Sequence, residues 1–129
     1  MAKILIIEDQ PALCRLYKTV LDRDGHDVTL AESGEAGIEA ARRITPDLVV
    51  LDLILPAMPG VQVARQLRDE GFLDKAPLIV TSGIGGDETR AIAESLGASA
   101  VLSKPFDIGS MLDAIKSALE TWSGNTSPA

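Results

Sequence analysis

Short apolar runs and helix-period patterns alternate five times along this chain, and no other feature constrains its fold as tightly. Ile4-Leu5-Ile6-Ile7 and Leu48-Val49-Val50-Leu51 are continuous apolar runs, each closed by an acid. Runs of that length without polar alternation suit strands covered on both faces. Between them Leu13, Leu16, Tyr17, Val20 and Leu21 recur at helical spacing, with Pro11 in the first turn and Gly25 past the end. A short strand over 28–31 precedes a helix over about 34–44, with Ser33 as N-cap and Gly37, Ala40, Ala41 and Ile44 on its inner face. Pro56, Pro59 and Gly60 interrupt the chain after the third strand, and a helix comes next over about 61–70. Leu78-Ile79-Val80-Thr81 and Ala100-Val101-Leu102 are the fourth and fifth strands. The helix between them spans about 87–96 and stops at Gly97, while Ile108, Met111, Leu112, Ile115, Ala118 and Leu119 mark the last one. Uninterrupted repetition of this kind gives an α/β fold: a doubly wound, five-stranded parallel sheet with right-handed crossovers and helices on both faces.

The chain has 129 residues, which suits one domain. No interior stretch is polar and long enough for a linker, so we expect a domain over 1–122 and a flexible C-terminal tail over 123–129. Lys and Arg number 12 against 19 Asp and Glu, a formal charge of −7 that repels a phosphate backbone and argues against nucleic acid as a partner. Aromatic residues are only 3 %, too few for stacking on bases or a flavin. The single cysteine, Cys14, excludes an internal disulfide and fits a reducing cytoplasm. The N-terminal apolar run meets Glu8 and Asp9 too early for a secretory signal, and no stretch approaches the ~20 residues of a membrane span.

Ligands of open parallel sheets sit beyond the carboxyl ends of the strands. Those ends hold Glu8 and Asp9 after the first strand, Asp52 after the third, Thr81-Ser82-Gly83 after the fourth, and Lys104 after the fifth. Carboxylates brought together repel unless one is protonated or a cation sits among them. A hard divalent ion such as Mg²⁺, held by one or two carboxylates and a substrate oxygen, suits the set. Lys104 and Ser82 are redundant for a metal alone but useful for a bound anion. The pattern therefore points to a carboxylate that meets a phosphoryl group with Mg²⁺ assisting. Singly, each residue is more often a cap or loop acid. Their coincidence at matching strand ends favours a site.

Glu8-Asp9, Asp52 with Leu55-Pro56 and Pro59-Gly60 behind it, Ser82-Gly83, and Lys104-Pro105-Phe106 together resemble the receiver domain of two-component response regulators. The resemblance covers about residues 3–120. It implies a flavodoxin-like receiver fold with strand order 2-1-3-4-5 and five helices. It also implies that Asp52 takes a phosphoryl group from a phosphohistidine, with Lys104 and Ser82 as the other catalytic groups. Phosphoryl oxygens would be bound by Ser82, the Gly83 N–H and Lys104. Mg²⁺ would be held by Asp9, Asp52, the Ile54 carbonyl and, through water, Glu8. Many receivers bear an aromatic residue three positions before the lysine that turns inward on phosphorylation. Here that position is Val101, so the switch region of Ser82 and Val101 has no ring, and the burden falls on Ser82 and the glycines at 83, 85 and 86. Gly83 leaves water a path to the acyl phosphate while apolar Ile54 tends to exclude it.

The implied partners are a sensor histidine kinase or histidine phosphotransfer protein, facing the first helix, and an output protein, facing the fourth helix, fifth strand and fifth helix. No output domain is expected within this length, so signalling is expected through protein contact by a monomer or weak dimer. The alternatives are a phosphorylation-independent interaction module, or the excised receiver of a longer regulator. The protein is not expected to be a turnover enzyme. A flavin carrier would want a hydroxyl- and glycine-rich loop where Glu8-Asp9-Gln10-Pro11 stands. An aspartyl phosphatase would want a second Asp at Ile54. His26 reads as a surface residue, Cys14 as packing, Trp122 as cover for the last helix, and Arg42-Arg43 as a solvated pair.

Overall fold

The computed structural model describes residues 2–83 and 86–122. The five strands are β1 (Lys3–Ile7), β2 (Asp27–Ala31), β3 (Leu48–Asp52), β4 (Leu78–Ser82) and β5 (Ala100–Ser103). All pair in parallel in the order β2-β1-β3-β4-β5, with Ile7 beside Leu51, Asp52 beside Thr81 and Ser82 beside Ser103. The helices are α1 (Pro11–Arg23), α2 (Gly34–Ile44), α3 (Gly60–Asp69), α4 (Asp87–Ser95) and α5 (Ile108–Thr121).

The continuous apolar runs are explained by two cores. Successive side chains of a strand leave on opposite faces. Leu5, Ile7, Val49, Leu51 and Val80 therefore join the core beneath α2, α3 and α4, which also holds Ile38, Ala41, Val63, Leu67 and Ala93. Ile4, Ile6, Val50 and Ile79 join Tyr17, Leu21, Met111 and Ile115 beneath α1 and α5. Every residue of β3 and β4 is buried, whereas edge strand β5 is half-buried along most of its length.

Local chemistry sets the element ends. Pro11 opens α1, and the Ser33 hydroxyl accepts the Ala36 N–H at 3.2 Å to cap α2. Asp107 caps α5 by accepting from the Gly109 N–H at 2.7 Å, and Trp122 is that helix's half-buried C-cap residue. Helix α2 stops at Thr45, which adopts the left-handed conformation with φ 49°, where a glycine is the usual signal. A 3₁₀ turn over Phe72–Asp74, which the sequence pattern does not announce, links α3 to β4.

Two residues differ from expectation. His26 is half-buried, and its Nδ1 accepts the Ala2 N–H at 3.2 Å, tying the loop after α1 to the start of β1. Arg42 is not simply solvated: its guanidinium clasps Glu70 through two bonds of 2.7 Å, linking α2 to the end of α3. Both contacts join residues distant in sequence. The expected tail, 123–129, lies outside the described residues.

Candidate functional site

The carboxyl rim of the sheet is assembled from the strand ends and the loops that leave them. After β1, the Glu8 N–H continues the ladder to the Ala31 carbonyl at 2.9 Å, and the Glu8 carboxylate accepts the Gln10 N–H at 3.1 Å. This turn places Asp9 at the rim just before Pro11 starts α1. The buried Cys14 thiol donates to the Glu8 carbonyl at 3.2 Å, so Cys14 packs as anticipated, with burial raising its pKa.

Asp52 ends β3, and its Oδ1 accepts the Ile54 N–H at 3.0 Å, which fixes the plane of the carboxylate. The chain then folds back so tightly that the Gly60 N–H reaches the Leu53 carbonyl at 2.9 Å. A Cβ on Gly60 would stand 2.5 Å from both the Asp52 carbonyl oxygen and the Leu53 Cα, so only glycine permits this return. Ala57, in the same loop, takes φ 67° without being glycine.

On the far side, the Lys104 N–H donates to the Ser82 carbonyl at 2.7 Å, and the Lys104–Pro105 peptide bond is cis. The lysine side chain reaches back across the rim. Its Nζ lies 2.8 Å from Asp52 Oδ2 and 2.8 Å from Glu8 Oε1. One ammonium thus bridges two carboxylates that are 3 % and 1 % exposed. Carboxylate oxygens of Glu8, Asp9 and Asp52 lie within 4.8 Å of one another.

Electrostatics are set by this crowding. Burial raises the Glu8 pKa, with Asp52 adding to the rise and Lys104 opposing it. Burial alone would lower the Lys104 pKa, but its contacts with Asp52 and Glu8 outweigh that and hold it above its ordinary value. Tyr17, beneath the cluster on α1, has its hydroxyl pKa pushed up by burial and then by the charges of Glu8 and Asp52.

The cluster suits a hard dication. All its donors are oxygens, and ionised they leave two negative charges after Lys104 is counted. Glu8 Oε1 is buried, and its neighbour among the described residues is the Lys104 ammonium at 2.8 Å, which leaves the oxygen lone pairs for a hard cation.

Glu8, Asp9, Asp52 and Lys104, singled out from sequence, are therefore brought together. Ser82 is buried and lines a cavity of about 190 Å³ with Ile54, Glu88, Thr89 and Ile92, next to α4. Gly83 is exposed, and a Cβ there would meet nothing within 4 Å. Ile54 is 50 % exposed at the rim. Val101 packs with the core beneath α2, α3 and α4, as its core reading anticipated. Residues 84 and 85, between β4 and α4, lie outside the described residues. Sequence reasoning missed a groove beside the rim, between α1 and the Lys104-Pro105-Phe106 segment. In sequence Leu16 reads as part of the apolar α1 stripe, but it is 43 % exposed along this groove.

Known proteins resemble this chain. A family profile described as response regulator receiver domain matches residues 4–116. The chain is 37 % identical over 128 residues to the KDP operon transcriptional regulatory protein KdpE of Escherichia coli, covering 99 % of this chain and 56 % of that protein. It is 32 % identical over 119 residues to Protein PilH of Pseudomonas aeruginosa, covering 92 % of this chain and 98 % of PilH. This chain thus spans about half the length of KdpE and nearly all of PilH. The structure of the non-phosphorylated HemR receiver domain from Leptospira biflexa superposes with a TM-score of 0.88 at 26 % identity, over 100 % of this chain and 99 % of that one.

Proposed function

The chain belongs to the response regulator receiver family of two-component signalling, and from that premise we propose that Asp52 accepts a phosphoryl group from a phosphohistidine in a Mg²⁺-dependent reaction. The observation that supports this best is the Lys104 ammonium, 2.8 Å from Asp52 Oδ2 and 2.8 Å from Glu8 Oε1. A cation so placed both steadies the resting carboxylates and stands ready for an incoming anion.

Glu8, Asp9 and Asp52 would hold the Mg²⁺, Glu8 through water and with the Ile54 carbonyl completing the set, and the ion would supply charge that offsets repulsion between carboxylate and phosphoryl oxygens. The Ile54 N–H orients Asp52 for attack. An Asp52 oxygen forms a bond to phosphorus as the bond from phosphorus to the donor nitrogen breaks, and the electron pair leaves with the imidazole. Lys104 exchanges a carboxylate contact for a phosphoryl oxygen. Ser82 donates to another phosphoryl oxygen, helped by the Gly83 N–H.

In this reading Ser82 passes the event to α4 through the cavity it shares with Glu88, Thr89 and Ile92, and Val101 supplies no ring to accompany it. The phosphodonor, a sensor histidine kinase or histidine phosphotransfer protein, faces α1. An output protein faces α4, β5 and α5. Among the described residues no helix is long and apolar enough to cross a membrane.

Incubation with Mg²⁺ and acetyl phosphate tests the acceptor. Intact mass is expected to rise by about 80 Da, and the gain to vanish in Asp52→Asn. A gain that survives Asp52→Asn refutes the assignment.

A further inference from the structure

Beside the acidic rim lies a cavity of about 590 Å³ whose walls are mostly apolar. Leu13 and Leu16 of α1 form one wall, and Pro105 and Phe106 form the other. At its inner end it takes in Lys104 and Gly83, which the proposed function assigns to the phosphoryl group. Lys104 is the sole charged residue among those lining it. The groove is therefore apolar along its length and ends at residues that, in the proposed function, receive a phosphoryl group once Mg²⁺ offsets the neighbouring carboxylates. That shape complements a molecule with a dianionic head and an apolar, ring-sized body.

We propose that this groove selects small-molecule phosphodonors whose leaving group is an aryl carboxylate, binding the ring between α1 and the Pro105-Phe106 segment while the phosphoryl head meets Lys104. The inference rests on the reading of Asp52 as acceptor and deepens it by naming a donor class. The step is balanced. An Asp52 oxygen bonds to phosphorus, the bond from phosphorus to the acyl oxygen breaks, and the arylcarboxylate departs with the electron pair. No oxidant or further reactant is needed. Leu16 is 43 % exposed although it is a large hydrophobic residue, so a ring seated against it removes apolar surface from water on both partners.

The test compares benzoyl phosphate with acetyl phosphate, whose leaving groups are acids of similar strength, so that intrinsic reactivity differs little. With Mg²⁺ and the full chain, second-order labelling of Asp52 is monitored by intact mass. Benzoyl phosphate is expected to be favoured by about tenfold. Leu16→Ser and, separately, Leu13→Ser are expected to cut that preference at least threefold. The exposure of Leu16 makes the first variant safe for folding, and circular dichroism checks both. A donor ratio below about threefold overturns the proposal, as does a larger ratio that both variants leave intact. If neither donor labels Asp52, the acceptor assignment itself falls, and the groove reading with it. That result is distinct from equal labelling by both donors, which removes only the donor preference.

Discussion

Helices α2 and α4 both cover the same face of the sheet, yet they are held very differently. Helix α2 buries Gly34, Gly37, Ile38, Ala40 and Ala41. Its glycines let it lie against neighbours, since a Cβ on Gly37 would stand 2.5 Å from Ile7 Cδ1 and one on Gly34 would stand 2.5 Å from Val63 Cγ2. It has a serine N-cap at one end and the Arg42–Glu70 clasp near the other. Helix α4 buries only Thr89 and Ala93 within its span, and Gly86, with φ 99°, is an N-cap without a side-chain cap bond. Its far end is secured, because the Arg68 guanidinium of α3 donates to the Leu96 carbonyl. A helix that buries fewer of its residues is the freer of the two to shift.

The largest effect expected from breaking this contrast is on stability. Gly37→Val forces a branched side chain into Ile7 and should destabilise the protein by about 3 kcal/mol in urea unfolding, whereas Ala91→Val on the exposed face of α4 should stay within about 0.5 kcal/mol. Equal costs would mean that close packing is not what separates the two helices. Next in size is the response to phosphorylation. With Mg²⁺ and beryllofluoride as phosphoryl mimic, amide exchange over 86–92 should slow about tenfold, a gain of about 1.4 kcal/mol in local stability, with α2 unchanged. Unaltered protection there, with changes elsewhere, would sink the assignment of α4 as the moving element.

The smallest effect concerns pH. Arg42 and then Gln66 hold the Glu70 pKa at about 2, below its ordinary 4.5. A depressed carboxylate stabilises the fold in its ionised form, so this contribution is complete above about pH 4.5 and is lost as pH falls toward 2. Because the pair lies at the surface, the effect is modest and screened by salt. Thermal melts of wild type and Glu70→Gln should differ slightly at pH 7 and converge at pH 2. A gap that widens on acidification would show that the clasp does not work by charge.

Strand positions and the acid–lysine constellation were legible in sequence because they depend on local pattern. A run such as Leu48–Leu51 has few structural options, and residues at strand ends share a rim whatever the crossovers do. The order of the strands came through family resemblance, not through the pattern itself. What escaped depends on contacts across the chain. Arg42 meets Glu70 only because α2 and α3 pack side by side, and His26 meets Ala2 only because the loop after α1 returns to β1. Thr45 ends α2 in a conformation that β-branched residues seldom take, so no residue-type rule announces it. The groove beside Lys104 is likewise assembled from two distant segments, and no residue pattern in either announces it.

The division of side chains between two cores has a further consequence. Asp52 lies two residues beyond Val50 and shares its face of the sheet, toward α1 and α5. Ser82 opens instead into the cavity beside α4. In the proposed function the five-stranded sheet is then a partition between an intake compartment and a reporting one. The passage between them is the carboxyl rim, bridged by the Ser82 carbonyl and the Lys104 N–H at 2.7 Å. Specificity for a donor and specificity for a listener can therefore drift apart over evolutionary time, each rewritten on its own side of the wall.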